Sequence, residues 1–366
     1  MSDAGVGIAK MLQVVTVFGI FYLIYRYRYE GFSWNVRRTN APVLTFTMLY
    51  VLALASILWA YLPSFAFFLA LQNLMLIFLF LWFFNLFDTF EEVESAFLIF
   101  SSVLLIFIGV TIRMVVSPSL LVHHLSGASA AAMVFCYTAA ELLSKNQYNY
   151  LNRKILLWGG CLLSLLVLVT HTSSGANASA VFGVCIALLF SGYILWAAIL
   201  GVIAFYLFIS QDSIEDYILL IMPGKDEVVL NNVTGRKILW EQILKIASMK
   251  PFIGWGFACA ERVITDKGFV AADSHNTYIG IYGGLGYVGC VFLGVHLITQ
   301  CFYLIVRRMR PGHLGLLSAT GCAMMNGYSY GFLSGKASTI TVMYIALVCL
   351  TFAYSRVSYD EQPIEP

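Results

Sequence analysis

Long apolar runs constrain this chain more than any other feature of its sequence. Nine of them come near the roughly 20 residues that a helix needs to cross a bilayer. They cover about residues 6–25, 42–61, 65–87, 95–115, 121–143, 155–171, 276–305, 312–332 and 338–355. A tenth run, over residues 178–209, is longer. One soluble core cannot bury so many such runs, so the pattern predicts an all-α integral membrane protein.

The composition excludes the soluble classes of protein. Of the 366 residues, 60% are hydrophobic and only 11% are charged, whereas about a quarter of a soluble domain is charged. The chain cannot cover itself with a hydrated surface, which rules out a soluble enzyme. Its net charge of +2 provides no basic surface for a nucleic acid.

The distribution of basic residues decides how the run over residues 178–209 is interpreted. If this run forms two short spans joined at Ser191-Gly192-Tyr193, three basic clusters fall on one side of the membrane, as the positive-inside rule requires. If it forms one span, the last cluster moves to the opposite side. We therefore predict about eleven spans, with the N-terminus outside and the C-terminus inside. The clusters are Arg26, Arg28, Arg37 and Arg38, then Lys145, Arg153 and Lys154, then Arg307, Arg308 and Arg310.

This topology divides the chain into three parts. Residues 1–209 and 276–366 contain the membrane-spanning helices, and the second of these parts ends in a cytoplasmic tail. Residues 210–275 form the one large hydrophilic segment, which the count places on the periplasmic face. In a protein with so few hydrophilic residues, a long hydrophilic segment is where we expect the active site.

The large loop contains a predicted amphipathic helix over residues 235–247. Its apolar residues follow helical spacing and its charged residues lie mostly opposite, which suits a helix lying in the membrane interface with Trp240 as an anchor. Pro251 is expected to end this helix, and the glycines at 254 and 256 indicate a tight turn.

A histidine precedes the span that begins near Ile279. Asp273 or Ser274 is expected to cap that helix, which would place His275 in or beside its first turn. The positive end of a helix disfavours an imidazolium ion, so we expect His275 to be neutral. A neutral imidazole at a hydrated membrane face has what a general base requires.

These residues together resemble the signature region of the O-antigen ligase and polymerase superfamily. The resemblance covers about residues 230–295 in order and spacing, and it agrees with the predicted topology. It is carried by Gly235-Arg236, Trp240, Pro251, Gly254, Gly256, His275-Asn276, Tyr278, Gly284-Leu285-Gly286 and Gly289.

The resemblance implies a GT-C-like membrane glycosyltransferase in the bacterial inner membrane, with its active site facing the periplasm. Such enzymes transfer a glycan from an undecaprenyl-diphosphate carrier to an acceptor hydroxyl, without a nucleotide sugar, a metal or another cofactor. His275 would be the catalytic base and Arg236 would bind the donor's pyrophosphate. Asn276, Tyr278 and Trp240 would support them. Arg suits this role because it pairs with phosphate oxygens in a bidentate manner.

One departure from the family pattern concerns the second phosphate ligand. Family members carry a Ser-Arg element after the span that precedes the hairpin, but residues 171–178 here contain no Arg near Ser174. Arg262, Lys336 and Arg113 lie on the predicted outer face and could take its place. Arg262 is preferred because it shares the large loop.

Other polar residues have structural interpretations. Glu141 is expected to reach cytoplasmic water from the end of its span, and Glu94 to lie in a solvated cytoplasmic turn. His296, in the middle of a span, is expected to be a packed, hydrogen-bonded residue.

Several functions remain open at this point. A polymerase would add lipid-linked repeat units to a growing polysaccharide, whereas a ligase would transfer the glycan to lipid A-core or another acceptor. A transporter for lipid-linked sugars would need charged residues in mid-membrane, which are scarce here. A non-catalytic export component is a further alternative. Membrane lipids are partners in every case, and the resemblance adds a flippase and a chain-length regulator as candidates.

Overall fold

The computed structural model describes residues 40–107, 124–144, 151–171, 173–209, 232–268, 273–306 and 312–356, and every regular element in these ranges is a helix. The first predicted span, over residues 6–25, lies outside them. We label the α-helices in chain order. They are α1 (Ala41–Ala55), α2 (Pro63–Phe84), α3 (Phe90–Leu105), α4 (His124–Leu143), α5 (Leu151–His171), α6 (Ser174–Phe190), α7 (Ile194–Ile209), α8 (Asn232–Ala247), α9 (Ala260–Asp266), α10 (Thr277–Val306), α11 (His313–Ser329) and α12 (Thr339–Arg356). A short 3₁₀ turn, Ser56–Leu58, extends α1.

Four helical stretches in the described part of the chain are long and apolar enough to cross a membrane. They are Ala41–Leu58, Pro63–Phe84, Asn152–His171 and Thr277–Val306. Four further apolar helices are shorter, namely Gly127–Leu143, Ser174–Phe190, Ile194–Ile203 and Thr339–Ala353. The chain is thus an all-helical membrane protein over its described residues.

The run over residues 178–209 is two helices, as the basic clusters predicted. Helix α6 ends in a Schellman motif, in which the Gly192 amide donates to Leu189 at 3.2 Å and the Tyr193 amide to Leu188 at 2.8 Å. Gly192 has a φ of +86°, which a glycine adopts without strain. Helix α7 then packs back against α6.

The centre of the bundle is built from α4, which packs against α5, α6, α11 and α12. Small side chains allow these helices to approach closely. The buried face of α4 carries a run of alanines that includes Ala130, Ala131 and Ala132, and α11 contributes Ala319 and Ala323. Close apolar packing therefore holds α4 and its four neighbouring helices together at the centre of the bundle.

A buried ionic cluster joins α3, α4 and α5, and it corrects two of our expectations. The Arg153 guanidinium donates to both carboxylate oxygens of Glu94, at 2.6 and 2.8 Å, and to Glu141 at 2.7 Å. Glu141 also accepts from the backbone amides of Gly312 and Gly315, at 3.1 and 2.8 Å. In contrast to the prediction, neither carboxylate is solvated, because each has exchanged water for a buried cation or for backbone amides.

His296 is a packed residue, as predicted. It is fully buried, and its Nε2 lies 2.8 Å from the Tyr344 hydroxyl. Its Nδ1 lies 3.2 Å from the Pro42 carbonyl oxygen. These contacts connect α10 to α1 and α12 through the core and leave His296 with a structural role.

Helix α10 is broken near its start by Gly286. This residue has φ +64° and ψ −158°, a backbone conformation that is essentially restricted to glycine. The break frees carbonyl oxygens from the helical pattern. Those of residues 283 and 284 accept from the amides of Trp255 and Gly256, at 3.1 and 2.8 Å.

The segment after α8 fills the other side of the break. The amides of Tyr287 and Val288 donate to the carbonyls of Pro251 and Phe252, at 2.8 and 3.1 Å. A Cβ atom at Gly286 would lie 2.4 Å from Phe252 backbone atoms. The glycines and proline of the family pattern therefore let two backbone segments meet directly and satisfy each other's hydrogen bonds.

Helices α8 and α9 and the first turns of α10 share a small core of their own. It consists of Ile243, Ile246, Ala260, Val263 and Ile264, with Leu239, Trp255 and Ile279 at its edge. The same unit is joined to the end of α1, where Phe257 donates to the Ser56 hydroxyl at 2.9 Å. The predicted site residues between 236 and 278 lie on this unit.

Candidate active site

Helix α8 has the predicted amphipathic character, and the structure shows what covers its apolar face. Ile243 and Ile246 are buried against α9, whereas Lys237 and Lys245 are exposed. The helix ends at Ala247, before Pro251. Its inner face is thus part of a protein core rather than wholly available to the membrane.

Trp240 faces the segment that precedes α10. Its indole Nε1 donates to the Ser274 carbonyl at 2.9 Å, and its ring packs edge-on against Tyr328, with 5.6 Å between the centroids. Arg236 lies one helical turn earlier on the same face of α8. It is partly buried, and burial lowers the pKa of its guanidinium, which nonetheless stays charged at neutral pH.

His275 lies in a tight turn immediately before α10. Its φ of +51° places it in the left-handed region, which is uncommon for a residue other than glycine and is enriched at functional sites. Its backbone amide donates to Asp273 Oδ1 at 3.2 Å. His275 is neither buried nor fully exposed, and its Nδ1 is a buried atom.

Asn276, rather than Asp273 or Ser274, caps α10. Its Oδ1 accepts from the amides of Tyr278 and Ile279, at 2.9 and 3.0 Å. Our expectation for the cap was therefore wrong, because the left-handed turn at His275 moves the helix start beyond both residues. His275 still lies beside the first turn, as predicted.

The turn is held against the end of α11. The Asn276 side-chain amide donates to the Tyr328 carbonyl at 3.0 Å, and the Tyr278 hydroxyl donates to the Met324 carbonyl at 2.6 Å. The Thr277 hydroxyl donates to the Tyr330 carbonyl at 2.9 Å. The structure thus brings Trp240, Asn276 and Tyr278 together around His275.

The predicted phosphate ligands are placed differently from one another. Arg262 lies over the Phe65 ring, with its guanidinium carbon 4.8 Å from the centroid. Lys336 is exposed in the segment after α11, whose Gly335 carbonyl accepts from Asn73 of α2 at 3.1 Å. Arg113 lies outside the described residues. Of the two that the structure describes, Lys336 is the more exposed, whereas Arg262 is held by an aromatic ring.

The place where the family carries its Ser-Arg element lies near the same end of α11. Ser173 caps α6 by accepting from the Ala176 amide at 3.4 Å. A Cβ atom at Gly175 would lie 2.5 Å from the Ser329 hydroxyl, so the start of α6 packs closely on the end of α11. The element's position is thus adjacent to the site, although its arginine is absent from residues 171–178.

Two residues of this region were missed by the sequence reasoning. Tyr328 is 59% exposed beside Trp240, and nothing in its surroundings in the sequence marks it. Glu261 is 6% exposed and lies on α9, whose neighbouring residues pack against α8 and α10. Burial and the neighbouring Asp273 raise its pKa to about 7. Glu261 lies between two apolar stretches, residues 257–260 and 263–264. A carboxyl group in such surroundings could have identified this residue, because burying a charge is costly.

The chemistry available to the site follows from these groups. A neutral imidazole can accept a proton, and a guanidinium on the helix that contacts the His275 turn through Trp240 can bind an anion. No cluster of three or more metal-ligating side chains occurs within the described ranges.

Comparison with known proteins agrees with the resemblance. Residues 159–294 match a protein family described as O-Antigen ligase. The match spans α6 to α9, most of α5 and the broken start of α10, and so includes His275 and Arg236. No curated protein matches the chain. The resemblance of this membrane protein to the O-antigen ligase-like superfamily is therefore confirmed, with residues 159–294 as the family region.

Proposed function

We propose that the protein is a membrane glycosyltransferase that polymerises undecaprenyl-diphosphate-linked repeat units into a surface polysaccharide. The observation that supports this most is the arrangement around His275. Trp240, Asn276 and Tyr278 of the family pattern all contact the turn or the helix start beside it. Arg236 lies one turn from Trp240 on the same helix face.

In this mechanism the His275 imidazole accepts the proton of an acceptor hydroxyl. The acceptor oxygen then forms a bond to the anomeric carbon of the donor glycan. The bond from that carbon to the diphosphate breaks, and undecaprenyl diphosphate leaves with the electron pair. Arg236 stabilises the negative charge of the leaving diphosphate. The mechanism uses protein side chains alone, without a metal ion.

Arg262, Lys336 and Arg113 are the candidates that we propose for the second phosphate ligand. Lys336 is exposed and on a segment that contacts the site, since Thr277 accepts from the Phe332 amide at 3.1 Å. Arg262 follows Glu261 on α9, but its guanidinium rests on Phe65. It would have to leave that ring to meet a diphosphate.

The proposed topology has eleven spans with the active site facing the periplasm of a bacterial inner membrane. Contacts among the described helices support a site whose residues all lie at one end of the helix bundle. The end of α1 contacts the segment before α9, with the Tyr61 amide donating to Trp255 at 2.8 Å. The Arg153 ionic cluster lies at the other end, where the basic residues of the positive-inside count fall.

A ligase is the closest alternative, because it uses the same donor and the same base and differs only in its acceptor. The modest size of the loop over residues 210–275 favours the polymerase. A lipid-linked sugar transporter is less well supported, since the buried ion pairs of Arg153 with Glu94 and Glu141 lie at one end of the bundle rather than along a path through it. A flippase and a chain-length regulator are proposed partners of the polymerase.

Complementation of a deletion strain tests the proposal. His275→Asn removes the base but suits a left-handed backbone, and Arg236→Ala removes the phosphate ligand. Lys237→Ala is the matched control, because it removes an exposed cation from the next position of α8. We expect both site variants, at normal abundance, to accumulate single repeat units on the lipid carrier, while the control forms long polymer.

Other outcomes distinguish the alternatives. Long lipid-linked polymer that never reaches its final acceptor would identify a ligase. Wild-type polymer from both site variants would contradict a catalytic role for this site and favour a non-catalytic export component.

A further inference from the structure

Residues 330–338, between α11 and α12, form a non-helical segment that reaches the level of the middle of α2. The Asn73 side-chain amide donates to the Gly335 carbonyl at 3.1 Å, and Gln72 Oε1 accepts from the Ala337 amide at 3.4 Å. Both side chains come from the middle of the 22-residue helix α2, about 15 Å along the axis from its start. Non-helical backbone at such a depth occurs where it is buried in protein or lines a hydrated cavity.

Further hydrogen bonds fix the 330–338 segment between the neighbouring helices. The Phe332 carbonyl accepts from the Thr341 hydroxyl of α12 at 2.7 Å, and the Ser338 amide donates to the same hydroxyl at 3.1 Å. The Phe332 amide donates to the Thr277 hydroxyl, at the start of α10, at 3.1 Å. The segment is therefore held by α2, α10 and α12 together.

The 330–338 segment also packs on the turn that carries His275. A Cβ atom at Gly331 would lie 2.8 Å from the Ser274 hydroxyl, and one at Gly280 would lie 2.6 Å from Ser334 Cβ. Lys336 follows Ser334 by two positions, so their Cα atoms are within about 7 Å of each other. Lys336 is thus close in the chain to residues that touch the turn and the first turns of α10.

Lys336 is the cation that this segment presents. Its side chain is exposed, whereas the carbonyl of Gly335 and the amide of Ala337, on either side of it, are held by α2. Within the described ranges, the ion pairs of the protein do not include Lys336. An ionisable group at the level of the middle of a spanning helix is costly and typically serves a function, with an anion as its partner.

The 330–338 segment begins where the family's Ser-Arg element would lie. The start of α6 packs closely on Ser329, the last residue of α11, and the segment follows directly. Arg262, the alternative cation, is occupied by the Phe65 ring. We infer that Lys336 is the second ligand of the donor's diphosphate and that Gln72 and Asn73 are its positioning residues.

The depth of Lys336 also indicates the source of the anion. A phosphate group at the level of the middle of α2 must be carried there by a lipid, which the diphosphate of the donor is. This inference rests on the proposed function, because it names a ligand for the same donor.

The test measures lipid binding by full-length protein in nanodiscs of zwitterionic lipid. The probes are undecaprenyl diphosphate and undecaprenyl monophosphate, because a second phosphate ligand is engaged only by the diphosphate. Lys336→Met removes the charge and keeps an unbranched side chain. We expect it to weaken diphosphate binding about tenfold and monophosphate binding less than about twofold.

Two further variants show whether the charge at this position is what matters. Lys336→Arg keeps the cation, so its affinity for the diphosphate should stay within about threefold of wild type. Lys267→Met, at an exposed position after α9, is the matched control and should bind both lipids as wild type does.

Phospholipid headgroups carry similar phosphate chemistry, so the measurement is repeated in nanodiscs that contain phosphatidylglycerol. We expect wild type still to bind undecaprenyl diphosphate more tightly than Lys336→Met does. Loss of this difference would assign Lys336 to a phospholipid headgroup and overturn the inference.

A double-mutant cycle tests the positioning by α2. Asn73→Leu removes the donor to Gly335, and we expect it to weaken diphosphate binding about threefold alone but hardly at all in the Lys336→Met background. Gln72→Leu should behave in the same way. A merely structural role would lower the fraction of protein that binds and leave the preference for the diphosphate unchanged.

A Lys336→Met protein with the wild-type preference for the diphosphate would overturn the inference, and so would additive losses in the cycle. Failure of the proposed function is distinguishable from both. In that case wild type itself would show no preference for undecaprenyl diphosphate, and His275→Asn would still form polymer.

Discussion

The indole nitrogen of Trp240 donates a hydrogen bond to the carbonyl oxygen of Ser274, at 2.9 Å. This bond joins helix α8, which carries Arg236, to the turn that carries His275. A proposed phosphate ligand and a proposed base are thus connected by one contact between two segments more than thirty residues apart in the chain. The relative placement of the two groups depends on that contact together with the core shared by α8, α9 and α10.

Replacement of Trp240 tests this dependence. Trp240→Phe keeps an aromatic ring against Tyr328 and loses only the indole donor, which leaves the Ser274 carbonyl without that partner. Loss of a hydrogen bond of this kind costs about 1 kcal/mol, so we expect about a fivefold lower rate of glycan transfer with normal protein abundance. Trp240→Ala should lower the rate further. A Trp240→Phe rate equal to wild type would mean that the ring alone positions the turn.

Gly286 should tolerate no side chain. Gly286→Ala would place a Cβ atom 2.4 Å from Phe252 backbone atoms in a conformation with φ +64°. The strain is on the order of 1–3 kcal/mol for the backbone alone. We expect a lower melting temperature and reduced abundance, measured by fluorescence-detected thermal unfolding in detergent.

Gly294→Ala is the control for that experiment. Gly294 is on the same helix, and a Cβ atom there would meet nothing within 4 Å. It should melt near the wild-type temperature. Equal melting temperatures for the two variants would show that the break at Gly286 is not required for the docking of the 251–256 segment.

The stability of the protein should depend on the ionisation of Glu261. Burial raises the pKa of this carboxyl from 4.5 to about 7, so between these values the folded state binds more protons than the unfolded state. Stability therefore falls as pH rises from about 4.5 to about 7 and levels off above that range. The full effect is on the order of 3 kcal/mol.

Thermal unfolding of wild type and Glu261→Gln from pH 4 to pH 9 measures this dependence. The variant cannot ionise, so its advantage in melting temperature over wild type should grow through the same pH window. A difference that stays constant with pH would place the titrating group elsewhere.

The membrane topology can be tested with introduced cysteines. We expect Lys267→Cys, at an exposed position after α9, to react with a membrane-impermeant maleimide from the periplasmic side. Asp88→Cys, exposed between α2 and α3, should react only after the inner membrane is opened. The native Cys259 is fully buried, and wild type labelled in parallel gives the background from the native cysteines. Reversed labelling of the two sites would contradict the proposed orientation.

The sequence predicted the features that depend on local pattern. The division of residues 178–209 followed from charge counting, and α8 followed from helical spacing and Pro251. The buried role of His296 followed from its place in an apolar run. Each of these depends on residues close together in the chain or on the membrane itself.

Features that depend on distant contacts were not predicted. Glu94 was expected in a solvated turn and Glu141 at a solvated helix end, because their common partner Arg153 is separated from Glu94 by 59 positions. The cap of α10 was misassigned because the left-handed conformation of His275 is imposed by surrounding contacts rather than by preference. Glu261 becomes buried only when α9 packs against α8 and α10, which are distant from it in pattern though close in the fold.

The most direct test of the central claim is the transfer reaction of purified protein in nanodiscs, with lipid-linked glycan extracted from the deletion strain. Wild type and His275→Asn would be compared at matched concentrations of folded protein. We expect glycosidic coupling with release of undecaprenyl diphosphate by wild type, and a rate at least about a hundredfold lower for the variant. A variant that couples glycans at the wild-type rate would contradict the assignment of His275 as the base.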